Sequence, residues 1–127
     1  MNIAMIDFPC LFTKEQLDYI GQSVVDAARL VCGDKLHEVI LYGSYARGDY
    51  QEWSDVDFIV LADVDDKEIW RYEREFIESL YNLNHHMNLL LSIIVITFER
   101  FESMKEIYPF YMNVNKEGKK ICQMPTV

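Results

Sequence analysis

The segment from Leu41 to Val60, with the sequence LYGSYARGDYQEWSDVDFIV, constrains the fold of this chain most strongly. Two apolar runs, Val39–Gly43 and Val56–Leu61, are dense in β-branched and aromatic residues and predict two short buried strands. Gly43 allows the backbone to turn sharply off the first strand, because glycine adopts conformations that other residues avoid. Ser44 then begins a short helical turn that ends near Gly48. The segment therefore predicts a strand, a tight turn and a second strand.

The turn after the first strand has the features of a phosphate-binding site. Backbone N–H groups at such a turn, together with the Ser44 hydroxyl, form a cradle for phosphate oxygens. Arg47 would add a forked cationic donor beside them. The alternative for Arg47 is a surface ion pair with Asp49 or Glu52, which contributes little energy.

Two carboxylates open the second strand. Asp55 and Asp57 are two residues apart, so both point to the same face of a strand. Two such carboxylates repel unless a cation lies between them, and a hard Mg²⁺ ion bound to nucleotide phosphates is the best candidate. The alternative is that both only solubilise a turn and a strand edge. Val56, Phe58 and Val60 point to the opposite face and are predicted to anchor the strand in the core.

The rest of the chain predicts an α/β (α+β) fold in one domain over residues 1–127. A helix is expected between Thr13, which with Gln16 forms a capping box, and Gly33. The other expected elements are a helix capped by Asp65 or Asp66 and reaching Asn84, a strand over Leu89–Thr97 at the centre of a covered sheet, a short helix over Glu99–Glu106, and a terminal strand over Lys119–Gln123.

Composition narrows the function and the location. Twelve Lys and Arg against twenty-one Asp and Glu give a formal net charge of −9, which argues against a nucleic-acid binder that neutralises many phosphates. Three widely spaced cysteines do not form a disulfide framework. Neither a signal peptide nor a membrane-length apolar stretch is visible. These features predict a cytoplasmic protein.

Two further groups of residues have more than one interpretation. Tyr42, Tyr45 and Tyr50 surround the predicted pocket, where they either stack on a base or pack in the core and rim. His85 and His86 are adjacent, on a predicted turn, without the i, i+4 spacing of a helical zinc site. A surface or interface role is therefore expected for the two histidines.

The pattern Gly43-Ser44-x-Ala46-Arg47-Gly48, followed by Ser54-Asp55-x-Asp57, resembles the signature of the polymerase-beta-like nucleotidyltransferase superfamily. It is most similar to the minimal nucleotidyltransferase branch, whose members are often encoded beside a HEPN protein as the antitoxin of a toxin–antitoxin pair. The specific part of the resemblance lies in residues 43–57.

The resemblance implies a nucleotidyltransferase fold, which is a small mixed sheet packed with helices, and a role for each matching residue. Gly43 and Ser44 would bind the triphosphate, with Arg47 and Ser54 as further nucleotide-binding residues. Asp55 and Asp57 would be the catalytic carboxylates and the ligands of Mg²⁺. The implied reaction transfers AMP from ATP, or a nucleoside monophosphate from another triphosphate, to a protein hydroxyl, with a tyrosine of a HEPN-type partner as the expected acceptor.

The chain departs from this family at one point. The family supplies a third carboxylate from the strand after the second helix, and the matching position falls near Leu90. The whole segment from Ser79 to Phe98 contains no Asp or Glu. This favours an alternative in which the protein is a catalytically impaired nucleotide-binding or partner-blocking module. A partner protein or a second copy of the chain would then complete the site.

Overall fold

The computed structural model describes residues 12–51 and 54–124, which contain a mixed four-stranded sheet. The strands are β1 (Leu36–Tyr42), β2 (Val56–Ala62), β3 (Leu91–Thr97) and β4 (Lys119–Gln123), in the order β3-β2-β1-β4. β1 pairs antiparallel with β2 and β4, whereas β2 and β3 are parallel. The predicted α+β class and mixed sheet are confirmed.

Six α-helices accompany the sheet in these residues. They are α1 (Lys14–Cys32), α2 (Ser44–Arg47), α3 (Ile69–Ser79), α4 (Tyr81–Met87), α5 (Phe98–Met104) and α6 (Pro109–Glu117). No helix in the described part of the chain combines the length and apolar character that a membrane span needs.

The first helix begins and ends where the sequence predicts. The Thr13 hydroxyl accepts a hydrogen bond from the Gln16 N–H at 3.1 Å, and the Gln16 side chain accepts one from the Thr13 N–H at 2.8 Å. This reciprocal capping box satisfies two N–H groups that the first turn leaves unpaired. Gly33, with φ of 58°, ends the helix.

Helices cover both faces of the sheet. On one face, Val56, Phe58 and Val60 pack against α1 and α3, as their alternation predicts, and all three are at most 1% exposed. On the other face, Ile59 and Leu61 pack against residues of α5 and α6. The odd and even positions of β2 therefore belong to two separate hydrophobic clusters. Asp57 is an odd position, so it lies on the same face of the sheet as Ile59 and Leu61.

Two expectations are wrong, and one helix was not predicted. The apolar strand β3 lies at an edge of the sheet and not at its centre, and Glu73 of α3 accepts a hydrogen bond from its Val95 N–H at 3.0 Å. The helix predicted to run on to Asn84 is interrupted at Leu80, and Asp65 caps a 3₁₀ turn that precedes α3. Helix α6 was not predicted, although Pro109 occupies its first turn.

Candidate active site

The ends of β1 and β2 bring the glycine turn and the carboxylates together. Tyr42, the last residue of β1, pairs with Asp57 near the start of β2. Gly43 follows with φ of 76°, and its carbonyl accepts hydrogen bonds from the N–H groups of Ala46 and Arg47 at 3.1 and 3.0 Å. These bonds form the short helix α2, which ends at Gly48.

Gly43 lies directly against the Asp57 carboxylate. A Cβ atom at position 43 would overlap Asp57 Oδ2 and would lie 3.3 Å from Asp57 Cγ. Position 43 therefore requires glycine for two reasons. Its φ angle is positive, and a side chain there would displace the Asp57 carboxylate. Sequence reasoning predicted the first requirement but not the second.

Asp57 is a half-buried acid next to a second acid. Burial, and then the charge of the neighbouring Asp55, raise its pKa to about 6, although Arg47 lowers it in part. Asp55 precedes the strand and is exposed. A cation between the two carboxylates would relieve their repulsion and stabilise both in the charged form.

The donor set suits Mg²⁺ bound together with a nucleotide. Within residues 12–51 and 54–124, no group of three or more His, Cys, Asp or Glu side chains could hold a metal ion. Mg²⁺ commonly takes one or two protein carboxylates and completes its six ligands with phosphate oxygens and water. Asp55 and Asp57 fit that mode of binding.

Ser92 occupies the sheet position beside Asp57. The parallel register of β2 and β3 pairs Asp57 with Ser92. The sequence had placed the corresponding position near Leu90, which instead precedes the strand, with a side chain 55% exposed. Tyr42 flanks Asp57 on the other side, and its pKa is raised to about 12 by burial and by Asp57, whereas a hydrogen bond with Ser92 lowers it. The neighbours of Asp57 in the sheet are thus two hydroxyl side chains.

Arg47 and Ser54 are engaged with nearby groups. Arg47 Nε lies 3.1 Å from an Asp49 carboxylate oxygen and 3.7 Å from Glu117 Oε2. The ion pair with Asp49 is one of the alternatives that the sequence left open, whereas Glu52 lies outside the described residues. The Ser54 hydroxyl accepts a hydrogen bond from the Gln51 N–H at 2.8 Å and so closes the turn that leads to Asp55.

Two tyrosines near the glycine turn pack against each other. Tyr45 is buried, and its ring stacks on that of Tyr50 with 4.4 Å between the centroids, so both contribute to packing.

The adjacent histidines lie on a helix. His85 and His86 are part of α4 and not of a turn, because the chain becomes helical again after the break at Leu80. Their expected surface or interface role stays a prediction.

Helix α6 contributes residues that sequence reasoning missed. Phe110, Asn113 and Glu117 line a small cleft together with Gly43 and Arg47. A helix-start proline followed by apolar residues four apart, Phe110 and Val114, was the available signal. Nothing in the sequence indicated that this helix would lie beside the glycine turn.

Similarity to known proteins extends over most of the chain. The sequence model of the nucleotidyltransferase domain family matches residues 28–121. A candidate protein adenylyltransferase of Methanocaldococcus jannaschii, MJ0604, is 33% identical over 95 residues, which cover 75% of this chain and 87% of the relative.

Solved structures share the fold. A crystal structure of a toxin–antitoxin with AMP-PNP matches 82% of this chain and 73% of its own, with a TM-score of 0.54 and 21% identity. A candidate nucleotidyltransferase from Sulfolobus solfataricus matches 86% of this chain and 81% of its own, with a TM-score of 0.52 and 18% identity. The predicted nucleotidyltransferase fold is confirmed.

Proposed function

The chain belongs to the nucleotidyltransferase domain family and so to a family of enzymes, and from this premise we propose that it transfers AMP from Mg²⁺-bound ATP to a protein hydroxyl. One observation carries the proposal. The glycine turn at Gly43 and the carboxylates Asp55 and Asp57 meet at the joined ends of β1 and β2. A phosphate cradle beside paired carboxylates is the arrangement that nucleotidyl transfer requires.

In this proposal each residue has a distinct task. Gly43 and Ser44 cradle the triphosphate, while Asp55 and Asp57 hold Mg²⁺, which supplies Lewis-acid stabilisation of phosphoryl charge. Arg47 exchanges its partners, the exposed Asp49 and the half-buried Glu117, for phosphate oxygens. That exchange costs little because ion pairs of an exposed guanidinium are weak. Ser54 acts through the turn that positions Asp55. The acceptor hydroxyl attacks the α-phosphorus and loses its proton to solvent, as pyrophosphate leaves.

We further propose that the acceptor belongs to a HEPN-type toxin and that this chain is its antitoxin, acting in the cytoplasm as one domain over residues 1–127. The fold likeness to chains from toxin–antitoxin structures supports this assignment. The net charge of −9 fits a protein substrate better than a nucleic acid. A tyrosine hydroxyl of the toxin is the expected acceptor.

Mass spectrometry of a HEPN-type toxin encoded beside this chain tests the transfer. After incubation with this protein, ATP and Mg²⁺, the toxin should carry adenylyl adducts. Asp57→Asn should abolish the adducts, whereas Asp34→Asn, an exposed acid in the turn after α1, should leave them intact. Adducts that persist with the Asp57 variant would refute the role of Asp57.

A second function is favoured by the position beside Asp57. Ser92 stands there, and residues 79–98 contain no carboxylate, so the site lacks the third acid that the family signature implies. In this alternative the protein binds and blocks the toxin without transferring AMP. The double variant Asp55→Asn/Asp57→Asn separates the two functions in cells that express the toxin. Protection as strong as wild type supports blocking, whereas lost protection with intact toxin binding supports transfer.

A further inference from the structure

A cleft of about 160 Å³ lies between α6 and the turn that follows β1. Gly43 and Arg47 form one wall, and Phe110, Asn113 and Glu117 form the other. The cleft lies next to Asp57, because Gly43, one of its lining residues, lies directly against the Asp57 carboxylate. A ligand that extends from a phosphate at Gly43 would therefore reach α6 first.

The wall on α6 is built from one helical face. Phe110, Asn113 and Glu117 are three and four residues apart, so their side chains line up along the same side of the helix. The eight residues from first to last span about 10 Å, with a rise of ~1.5 Å between successive residues. That length matches a base and its sugar and is too short for a whole nucleoside triphosphate.

Phe110 is held in place by two other rings. Its ring meets Tyr42 edge-on, with 5.7 Å between the centroids, and lies 5.6 Å from Tyr111. The side chain is nevertheless 37% exposed. A braced aromatic ring with an accessible surface is a stacking platform for a nucleobase, since little conformational freedom remains to be lost on binding.

The polar groups on the α6 wall of the cleft suit a neutral base, whereas Arg47 on the opposite wall suits a phosphate. The Glu117 carboxylate would repel phosphate oxygens and so directs the triphosphate towards Gly43 and Ser44. Asn113, which is exposed, offers both a donor and an acceptor. Such an amide pairs in a bidentate manner with the amino group and ring nitrogen of adenine.

We propose that this cleft receives the base of the nucleotide, that Phe110 stacks on it, and that Asn113 reads its edge and favours adenine. The inference rests on the proposed function, because it assumes that Gly43 and Ser44 hold the triphosphate. The cavity volume agrees with it. Whole-ligand sites measure about 300–1,000 Å³, so 160 Å³ accommodates only one part of a nucleotide.

Calorimetric titration of the full chain tests the stacking role. The ligands are ATP, GTP and inorganic tripolyphosphate, each with Mg²⁺. Phe110→Ala should weaken ATP binding by about tenfold, as expected for the loss of one base–aromatic contact, and should leave tripolyphosphate binding unchanged. Phe110→Tyr should restore ATP binding, and Met112→Ala, on the same helix outside the cleft, should bind every ligand like wild type.

The titration with tripolyphosphate distinguishes the proposed base cleft from the proposed function on which it rests. If wild type binds neither tripolyphosphate nor ATP, the proposed function fails. If wild type binds both with equal affinity, or if Phe110→Ala weakens both equally, the base cleft is refuted while triphosphate binding stands.

Asn113→Asp tests how the base is read. The aspartate keeps an acceptor but loses the donor, so it suits the N–H groups of guanine better than the acceptor nitrogen of adenine. The ratio of ATP affinity to GTP affinity should fall several-fold relative to wild type. An unchanged ratio would overturn the assignment of Asn113.

Discussion

Gly43 is subject to two constraints that a single substitution tests. Its φ of 76° disfavours any side chain, and an added Cβ would overlap the Asp57 carboxylate. Gly48, at the other end of α2, also has a positive φ of 87°, but an added Cβ there meets nothing within 4 Å. The two glycines form a matched pair, since only one of them contacts a candidate metal ligand.

Gly43→Ala should therefore cost more than Gly48→Ala. Backbone strain of about 1–3 kcal/mol applies to both variants, and the displaced carboxylate adds to it only at position 43. Urea unfolding measures the difference in free energy of unfolding, and titration should show that only Gly43→Ala loses Mg²⁺·ATP binding. Equal losses at the two positions would contradict the contact argument.

Asp57 makes the stability of the ligand-free protein depend on pH. Its pKa is about 6 in the folded chain, against the ordinary 3.8, so the folded state retains a proton over this range that the unfolded state has lost. The free energy of unfolding must fall as the pH rises from about 4 to about 6. The Asp57→Asn variant should not lose this free energy of unfolding, because asparagine does not titrate.

The Asn variant should be more stable than wild type at pH 7, by about 1–2 kcal/mol once solvent screening of the half-buried group is allowed for. The difference should vanish below about pH 4, where the wild-type carboxyl is protonated in both states. Unfolding curves over this pH range provide the measurement. An Asn variant less stable than wild type at pH 7 would contradict the raised pKa of Asp57.

The chemical type of the site residues was predictable, but their neighbours were not. The glycine, the serine and the spacing of Asp55 and Asp57 are local features that can be read along the chain. Ser92 and Glu117 reach the site through strand register and helix packing, which depend on contacts between distant segments. The local sequence pattern therefore predicts the chemical groups of a site better than it predicts which distant residues surround them.

At the scale of elements, β3 is an edge strand that is protected on its outer side. Glu73 of α3 accepts a hydrogen bond from the Val95 N–H, which would otherwise present a donor to other chains. Apart from Ser92 and Thr97, the strand is apolar. This single side chain therefore both stabilises the packing of α3 on β3 and blocks pairing at the edge.

Glu73→Ala should lower the free energy of unfolding by about 1–3 kcal/mol, because it leaves a partly buried N–H unpaired. It should also increase self-association through the exposed edge. Chemical unfolding and light scattering measure the two effects, with Glu78→Ala on the exposed side of α3 as the control. A Glu73 variant that is as stable and as monodisperse as the control would refute the role.

Elements with strong local signals were predicted well. The capping box and Gly33 predicted both ends of α1, and the dense β-branched run predicted β2. The position of β3 was wrong because an apolar strand covered on both faces looks the same at an edge as at the centre. Helix α6 was missed because Val114 alone of its residues is buried, and the packing of Val114 with Ile40 and Ile59 is a long-range contact.

At the scale of the whole molecule, the site lies where both hydrophobic clusters meet. β1 and β2 contribute to each cluster and carry the site at their joined ends. A ligand held there adds its binding free energy to the stability of the folded chain.

Mg²⁺·ATP at a hundredfold excess over Kd should therefore stabilise the protein by about 2.7 kcal/mol and raise Tm by several degrees. Removal of the metal with EDTA should abolish the increase, and so should Asp55→Asn. Thermal unfolding with and without metal provides the measurement. An equal shift with ATP alone would show that the carboxylates are not metal ligands.

The pairing of β3 with β2 also bears on the two proposed activities. Asp57 and Ser92 are adjacent across the sheet, so any side chain at position 92 lies on the face that carries the site. An inherited change from serine to aspartate there would need no new loop, insertion or rearrangement of the fold. A lineage of such proteins could gain or lose a third acid in one step, and transfer and simple binding would then be neighbouring states in evolution rather than separate designs.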